Sequence, residues 1–215
     1  MARKTREDAL ETREGILDAA EDCFLEQGFS RTGLEAIAVR AGVTRGAVYW
    51  HFKNKDEVLE AVINRVSVPF FHGLERASRP DGTTPLRDLR ALLRQSFIDL
   101  SEQPRVRNAL EVIELRCEVP SAGDSISAIR KSGMHQTQSR ISAAFERAAA
   151  LGQLRDGISP ETCACTLHFV ISGALRMHLL DPAHIDLRRD GLAAVDLALS
   201  AVARKPLEFD PPGVM

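Results

Sequence analysis

The residues with the most distinctive chemistry lie in residues 32–55, TGLEAIAVRAGVTRGAVYWHFKNK. Within this stretch, residues 36–55 hold four Arg or Lys and no Asp or Glu, and Tyr49, Trp50 and His51 follow one another near its end. Basic and aromatic side chains with N–H or O–H groups are suited to phosphate oxygens, which accept most protein–DNA hydrogen bonds. The stretch predicts contact with a nucleic-acid backbone. The alternative is a solvated basic helix pair that touches no DNA.

Two short helices and a tight turn would position these side chains. Thr32 and Glu35 have the spacing of a capping box at the start of the first helix. An apolar stripe follows at helical spacing: Leu34, Ile37, Ala38 and Ala41. Gly42 then stands where a helix needs a residue that tolerates positive φ, and Thr44 is an N-cap candidate for a second helix of about two turns. This order is typical of a helix-turn-helix.

The motif VTRGAVYWHFKNKDEV, preceded by TGLEAIAVRAG, resembles the DNA-binding domain of the TetR family of bacterial repressors. The opening MARKTREDALETREGILDAA and the later stretches LRCE and ISGALRMHLLDPAHIDL resemble its AcrR-like branch, whose members repress multidrug efflux operons. The resemblance is strong over residues 10–60 and weaker beyond residue 65. It implies a transcriptional repressor that controls a multidrug efflux pump and so contributes to antibiotic resistance.

Base reading is predicted for Arg45, because its guanidinium fork can bind guanine O6 and N7. Gly46 and Ala47 carry little side chain and would let the second helix enter the groove deeply. The complete set of predicted DNA-binding residues is Thr32, Thr44, Arg45, Gly46, Ala47, Tyr49, Trp50, His51 and Lys55. Of these, Tyr49, His51 and Lys55 are expected to be phosphate anchors. For Trp50, packing inward is the alternative to lying along the DNA, while Val48 and Phe52 are expected in the core.

The composition bounds the function. The chain has 215 residues, 44% hydrophobic and 27% charged, with a net charge of −2, so a DNA-binding face must be local. A Gly-rich phosphate loop, a metal-ligand spacing and a nucleophile–base set are all missing from the sequence. We therefore expect no enzyme, catalytic residue, metal or cofactor. An apolar leader is also missing, as is any run of eighteen apolar residues, and we expect a cytoplasmic protein with no membrane partner.

Helical periodicity over the whole chain predicts an all-α fold of about nine helices. An N-terminal three-helix domain with the helix-turn-helix is expected over residues 1–54. A C-terminal helical bundle for ligand binding and dimerisation is expected over residues 55–205, and residues 206–215 are expected to form a flexible tail. Pro69 is expected to kink or interrupt the helix that begins near Lys55, because proline removes a helical hydrogen bond.

The last two helices of this fold are apolar on more than one face, so each must pack against other protein surface on two sides. A second copy is the expected cover, because two recognition helices related by a two-fold axis would read an inverted-repeat operator. The alternative is that both helices are central in a monomeric core. The predicted dimer interface consists of Leu167, Val170, Ile171, Ala174, Leu192, Val195, Leu199 and Val202.

An effector pocket is expected inside the bundle, where aromatic and methionine side chains suit a small lipophilic molecule. Its predicted residues are Ile63, Ser67, Phe70, Phe97, Glu111, Glu114, Met134, Phe169 and Met177. For the two glutamates the alternative is solvation, or pairing with Arg107 or Arg116. Two other functions stay open at this point: a TetR-type regulator of a metabolic operon, and a helical protein-binding scaffold that binds no DNA.

Overall fold

A computed structural model describes residues 6–117 and 125–207. Within these ranges the chain forms nine α-helices, which confirms the all-α prediction. They are α1 (Arg6–Gln27), α2 (Leu34–Arg40), α3 (Arg45–His51), α4 (Lys55–Ala77), α5 (Pro85–Glu102), α6 (Pro104–Glu111), α7 (Ser125–Ala150), α8 (Pro160–Leu180) and α9 (Leu192–Val202). Two π-helical turns, Val112–Arg116 and Leu187–Gly191, follow α6 and precede α9.

The chain divides into two compact units, each built from two stretches. Of the described residues, 6–67, 105–117 and 125–130 form the first unit, and 68–104 and 131–207 form the second. The division falls within α4 rather than at the predicted boundary after residue 54, so the predicted domains remain a prediction. Of the predicted tail, residues 208–215 lie outside the described residues.

The first unit has a continuous apolar core beneath α1, α2 and α3. The core-forming stripe of α1 arises from Ile16, Leu17, Ala20 and Phe24, which recur at helical spacing and are fully buried. Ile37 of α2 and Val48 of α3 join them. Side chains from the second stretch complete the same core: Ala109, Val112, Cys117 and Ile126. The three-helix domain expected from the sequence is therefore closed by residues far along the chain.

An ion-pair cluster fixes the first half of α4 to α1. The guanidinium of Arg65 lies 3.4 Å from Glu14, 2.6 Å from Asp18 and 2.8 Å from Glu21. Burial raises the pKa of Glu21, and hydrogen bonds from Asn108 and Arg65 only partly oppose that shift. The cluster thus holds the helix that follows the DNA-reading motif at a fixed position on α1.

Pro69 lies inside α4, which continues through it as one helix from Lys55 to Ala77. The predicted interruption is therefore wrong. Proline has no N–H for the carbonyl of Arg65 four residues earlier, and the helix loses one hydrogen bond there. The ring itself is exposed.

In the second unit, α5, α8 and α9 pack together. The buried Arg90 of α5 donates from Nε and Nη2 to Asp196 of α9 at 2.6 and 2.9 Å. Phe97 is buried against Gly191, where an added Cβ would lie 3.1 Å from the ring. Among the described residues, α8 is the one helix long and apolar enough to cross a membrane, by length and composition only. The core helix of a soluble protein meets the same criterion, and 22% of the apolar window of α8 is buried.

Candidate nucleic-acid interface

The turn and the cap that create α3 form as the sequence predicts. Gly42 has a φ of +66°, which lets the chain leave α2 after Ala41. Thr44 is the N-cap of α3, and its hydroxyl accepts a hydrogen bond from the backbone N–H of Ala47 at 3.2 Å. Because α3 has only seven residues, this cap and the packing of one face determine where its remaining side chains point.

The two faces of α3 have opposite environments. Val48 is fully buried and Phe52, directly after the helix, is 4% exposed, so both core predictions are confirmed. On the other side Tyr49 is 46% exposed and Trp50 is 73% exposed. The inward alternative for Trp50 is therefore wrong. His51 is half-buried and its ring meets that of Trp50 edge-on, with centroids 4.5 Å apart.

Arg45 begins α3 and is held by two neighbours. It forms an ion pair with Glu35 in the first turn of α2. Its Nη2 lies 3.4 Å from the Tyr49 hydroxyl, and its guanidinium carbon lies 5.3 Å from the centroid of that ring. The hydrogen bond to Tyr49 and the charge of Glu35 raise the pKa of Arg45. Gly46, the next residue along the chain, is exposed, and Ala47 is half-buried.

Lys55 lies in a different environment from the predicted phosphate anchor. Its Nζ donates to the backbone carbonyls of Phe29 at 2.7 Å and Ser30 at 3.2 Å. The ammonium also lies 4.3 Å from the centroid of the Phe29 ring. Lys55 thus stabilises the loop between α1 and α2. These contacts position the motif, and the predicted phosphate contact of Lys55 stays a prediction.

Thr32 also departs from its prediction. Gly33 is the residue before α2, without a side-chain cap, so the proposed Thr32–Glu35 capping box is wrong. The Thr32 side chain is buried, and its hydroxyl donates toward the carbonyls of Gly28 at 2.8 Å and Cys23 at 3.1 Å. Such a hydroxyl is not available to a phosphate, because α1 lies over it.

Two arginines outside the predicted DNA-binding set lie in the same unit. Arg31 is exposed next to the motif and donates to the Gln27 carbonyl at 2.9 Å. Arg13 of α1 has its guanidinium carbon 5.1 Å from the centroid of the Phe52 ring, beside the end of α3. Only the fold reveals the second, since Arg13 is distant from the motif in sequence.

The described residues give little support to metal or thiol chemistry. Among them no three His, Cys, Asp or Glu side chains form a group that could hold a metal ion. All four cysteines are free, with Cys163 buried and Cys165 exposed on α8, as their spacing of two predicts. Burial raises the pKa of Cys117 to about 11, which keeps this thiol protonated at neutral pH.

Comparison with known proteins decides the family. The model for "Bacterial regulatory proteins, tetR family" matches residues 16–62, and that for "MAATS-type transcriptional repressor, C-terminal region" matches residues 84–203. Together they cover most of the chain. The protein is a TetR-family transcriptional repressor. As in the family, sequence-specific DNA binding is its function, and the scaffold alternative is wrong.

The relatives of the repressor are regulators of the AcrR-like branch. The transcriptional regulator TtgR of Pseudomonas putida is 35% identical over 96% of this chain and 98% of its own. AcrR of Shigella flexneri is 30% identical, covering 93% of each chain. The structure of a SmeT–triclosan complex is 45% identical with a TM-score of 0.87, covering 94% of this chain and 99% of that one. SmeT is the repressor of the Stenotrophomonas maltophilia multidrug efflux pump SmeDEF.

The predicted effector residues of the repressor have mixed environments. Glu111 forms an ion pair with Arg116 at 2.9 Å, as the pairing alternative has it, whereas Glu114 pairs at 3.7 Å with Arg130, which was not among the predicted partners. Phe97 is buried, whereas three others are exposed: Met134, Phe169 and Met177. Ile63, Ser67 and Phe70 of α4 are half-buried, and the Ser67 hydroxyl has no hydrogen-bond partner within the part of the chain described.

Most of the predicted dimer interface is core within a single chain. Five of the eight residues are buried in the second unit: Leu167, Leu192, Val195, Leu199 and Val202. These assignments are corrected, because that stripe of α9 faces α5 and α8 of its own unit. The other three, Val170, Ile171 and Ala174, are half-buried. A periodic stripe shows that a face is covered without showing what covers it.

Proposed function

We propose that the repressor binds an inverted-repeat operator as a homodimer in the cytoplasm and leaves it when a small lipophilic effector binds. The genes that it controls would encode a multidrug efflux pump. The observation that carries the proposal is the outer face of α3, where Arg45, Tyr49 and Trp50 are exposed on a capped helix with a buried inner face. In this proposal the chain performs no catalytic step and needs no metal or cofactor.

The exposed side chains of α3 can each supply a part of operator binding. The guanidinium of Arg45 can bind guanine in the major groove, and the hydroxyl of Tyr49 and the indole N–H of Trp50 can donate to phosphates. Thr44 stays at the N-terminus of the helix, whose backbone N–H groups favour an anion. His51 is a weaker candidate for a phosphate contact because it is half-buried.

An exposed apolar face supports dimerisation. On α8 the exposed side chains of Phe169, Met177 and Leu180 recur with Gly173 at i, i+4, i+8 and i+11, which is one side of a helix. On α9, Leu197 is 73% exposed. Large apolar side chains that recur along one face are typical of a protein interface. We infer that this face, rather than the buried stripe, meets the second copy.

The dimer interface is tested by adding charge to it. Leu197→Asp should convert the dimer to monomers in sedimentation-equilibrium runs, because a carboxylate would be buried without a partner. Leu151→Asp, directly after α7, makes the same substitution outside this face and should remain dimeric. A dimeric Leu197→Asp variant would contradict this interface.

The efflux assignment rests on the relatives. SmeT is a repressor of a multidrug efflux pump and has been solved with triclosan, and it shares its fold with this chain over almost its full length. Release from the operator requires that the effector bind the conformation with low DNA affinity more tightly than the conformation that binds the operator. Typical couplings of about 1–3 kcal/mol would weaken operator binding by about 5- to 150-fold. α4 contributes residues to both compact units and is therefore our candidate for the element that carries the coupling.

DNA binding is tested by enriching sequences from a random duplex pool with the purified protein. We expect an inverted repeat, bound by the wild type and bound several-fold more weakly by Arg45→Ala. Arg87→Ala removes the same charge from an exposed position of α5 and should leave the enriched sequence unchanged. A pool that never enriches would refute sequence-specific binding by this chain.

The effector is tested with triclosan as the probe. Triclosan should raise the melting temperature of the free protein, since a ligand that binds only the folded state stabilises it. It should also lower the affinity for the enriched operator in a fluorescence-anisotropy titration. A melting shift without any change in operator affinity would contradict effector-driven release. The absence of a melting shift would contradict a triclosan-like effector.

A further inference from the structure

Glu35 is an acidic residue in the middle of a DNA-reading surface. Residues 34–51, which contain both helices of the motif, hold no other Asp or Glu. The Glu35 side chain is 70% exposed. A carboxylate that approaches the phosphate backbone is repelled by it, so such a residue lowers the affinity for every DNA sequence. A favourable contribution of Glu35 to operator binding must offset this loss of affinity.

The contribution lies in the contact with Arg45. Glu35 stands in the first turn of α2 and Arg45 in the first turn of α3, and their side chains form an ion pair across the turn. Tyr49 holds the same guanidinium from the other side, at 3.4 Å from Nη2. An arginine side chain has many rotamers, and an exposed one loses entropy when it binds a base in a single orientation. Two partners on two helices reduce that loss in advance.

The guanidinium remains able to read a base while both partners stay in place. Nη1 and Nη2 carry two N–H groups each, and Glu35 and Tyr49 use one group on each nitrogen. One N–H on each of the two nitrogens therefore remains. A bidentate contact with guanine O6 and N7 requires two such donors.

We propose that Glu35 is a specificity-determining residue of this repressor, which orients Arg45 for one guanine of the operator half-site at the expense of affinity for DNA in general. Because this role requires Arg45 to read the operator, it rests on the proposed function. Glu35 acts through Arg45 and is a positioning residue. A solely structural role, as an acid near the N-terminus of α2, would affect stability and leave sequence preference unchanged.

The test compares Glu35→Gln with Glu26→Gln. Each substitution removes one exposed carboxylate from the first unit, but Glu26 pairs with Arg40 at 2.6 Å and not with Arg45. Each variant is titrated by fluorescence anisotropy, at one salt concentration, with three kinds of duplex. These are the enriched operator, a series in which each G·C pair of both half-sites becomes A·T, and a random-sequence duplex.

We expect both variants to bind the random duplex more tightly than the wild type, since each lacks one negative charge. Only Glu35→Gln should lose discrimination at one G·C position, by about 5- to 150-fold, the range that a bidentate arginine–guanine pair supplies. If Glu35→Gln discriminates at every position as well as Glu26→Gln does, the positioning role of Glu35 is overturned.

Arg45→Ala separates a failure of this role from a failure of the proposed function. In that variant the same G·C position should lose its discrimination. Should Arg45→Ala discriminate like the wild type, Arg45 does not read the operator, and the role of Glu35 is overturned together with that part of the proposed function. Loss of discrimination in Arg45→Ala alone, with Glu35→Gln unaffected, overturns the role of Glu35 and leaves base reading by Arg45 standing.

Discussion

Replacing Thr32 by valine removes a buried hydroxyl and keeps nearly the same side-chain shape. In the wild type that hydroxyl donates toward the carbonyls of Gly28 and Cys23. The net contribution of one such hydrogen bond is about 0.5–1.5 kcal/mol, and a buried acceptor left unsatisfied adds to the loss. We therefore expect Thr32→Val to lower the free energy of unfolding by about 1–2 kcal/mol.

Urea unfolding followed by circular dichroism measures this change. With a slope of about 2–3 kcal/mol per molar urea, the midpoint should fall by roughly 0.5 M. All variants must be compared at one protein concentration, because the midpoint of an oligomer depends on it. A loss of this size leaves the protein almost entirely folded without urea, so operator affinity should remain that of the wild type.

Thr32→Ser provides the matched control, since it retains the hydroxyl and loses one methyl group. It should bind the operator normally and lose about 1 kcal/mol of stability for the buried methyl. The reasoning is refuted if Thr32→Val unfolds at the wild-type midpoint but binds the operator several-fold more weakly while Thr32→Ser binds it normally. That pattern would mean that the hydroxyl contacts DNA.

Three further predictions concern stability. Arg90→Met should lower the free energy of unfolding by about 3 kcal/mol because the largely buried carboxylate of Asp196 loses its partner, and adding Asp196→Leu should recover most of it. Glu21→Gln should gain stability relative to the wild type as the pH rises from about 4.5 to 7, because burial raises the pKa of Glu21 and charging it destabilises the folded state. Gly73→Ala should destabilise by about 1–2 kcal/mol despite the higher helix propensity of alanine, since its Cβ would lie 2.2 Å from Cδ1 of Leu92.

Each of these has a contrary outcome in the same urea measurements. An Arg90→Met/Asp196→Leu variant no more stable than Arg90→Met would mean that the carboxylate is not the source of the loss. A constant difference between Glu21→Gln and the wild type across the pH range would contradict the raised pKa. For Gly73, a gain in stability would show that Leu92 moves aside without cost.

Local rules predict the parts of the site that depend on neighbouring residues. The cap at Thr44, the positive φ at Gly42 and the inward faces of Val48 and Phe52 are each determined within a few residues, and all four agree with the structure. The capping box was expected at the wrong helix. A related arrangement occurs at α4, where the Asn54 side chain accepts from the Glu57 N–H and the Glu57 carboxylate accepts from the N–H of Lys53, one residue before the N-cap position.

The failures involve contacts between distant residues. The sequence does not reveal that Lys55, predicted as a phosphate anchor, also donates to the carbonyl of Phe29, 26 residues earlier. Thr32 is predicted to cap α2, but its side chain is buried and its hydroxyl donates to the Cys23 carbonyl of α1 instead. The apolar stripe through Val195 and Leu199 identifies a covered face, but sequence periodicity contains no information on whether the cover is its own chain or a second copy.

The ribosome synthesises the two stretches that form the apolar core of the first unit at different times. Ala109, Val112 and Ile126 share that core with Phe24 and Val48. The first stretch ends at residue 67 and the second at residue 130. Synthesis of the roughly 60 residues between these two points takes about 3–12 s at typical rates of translation. During this interval the nascent chain has an open apolar core. A polypeptide whose translation stops there is expected to be degraded, rather than to occupy the operator as a truncated repressor that no effector can remove.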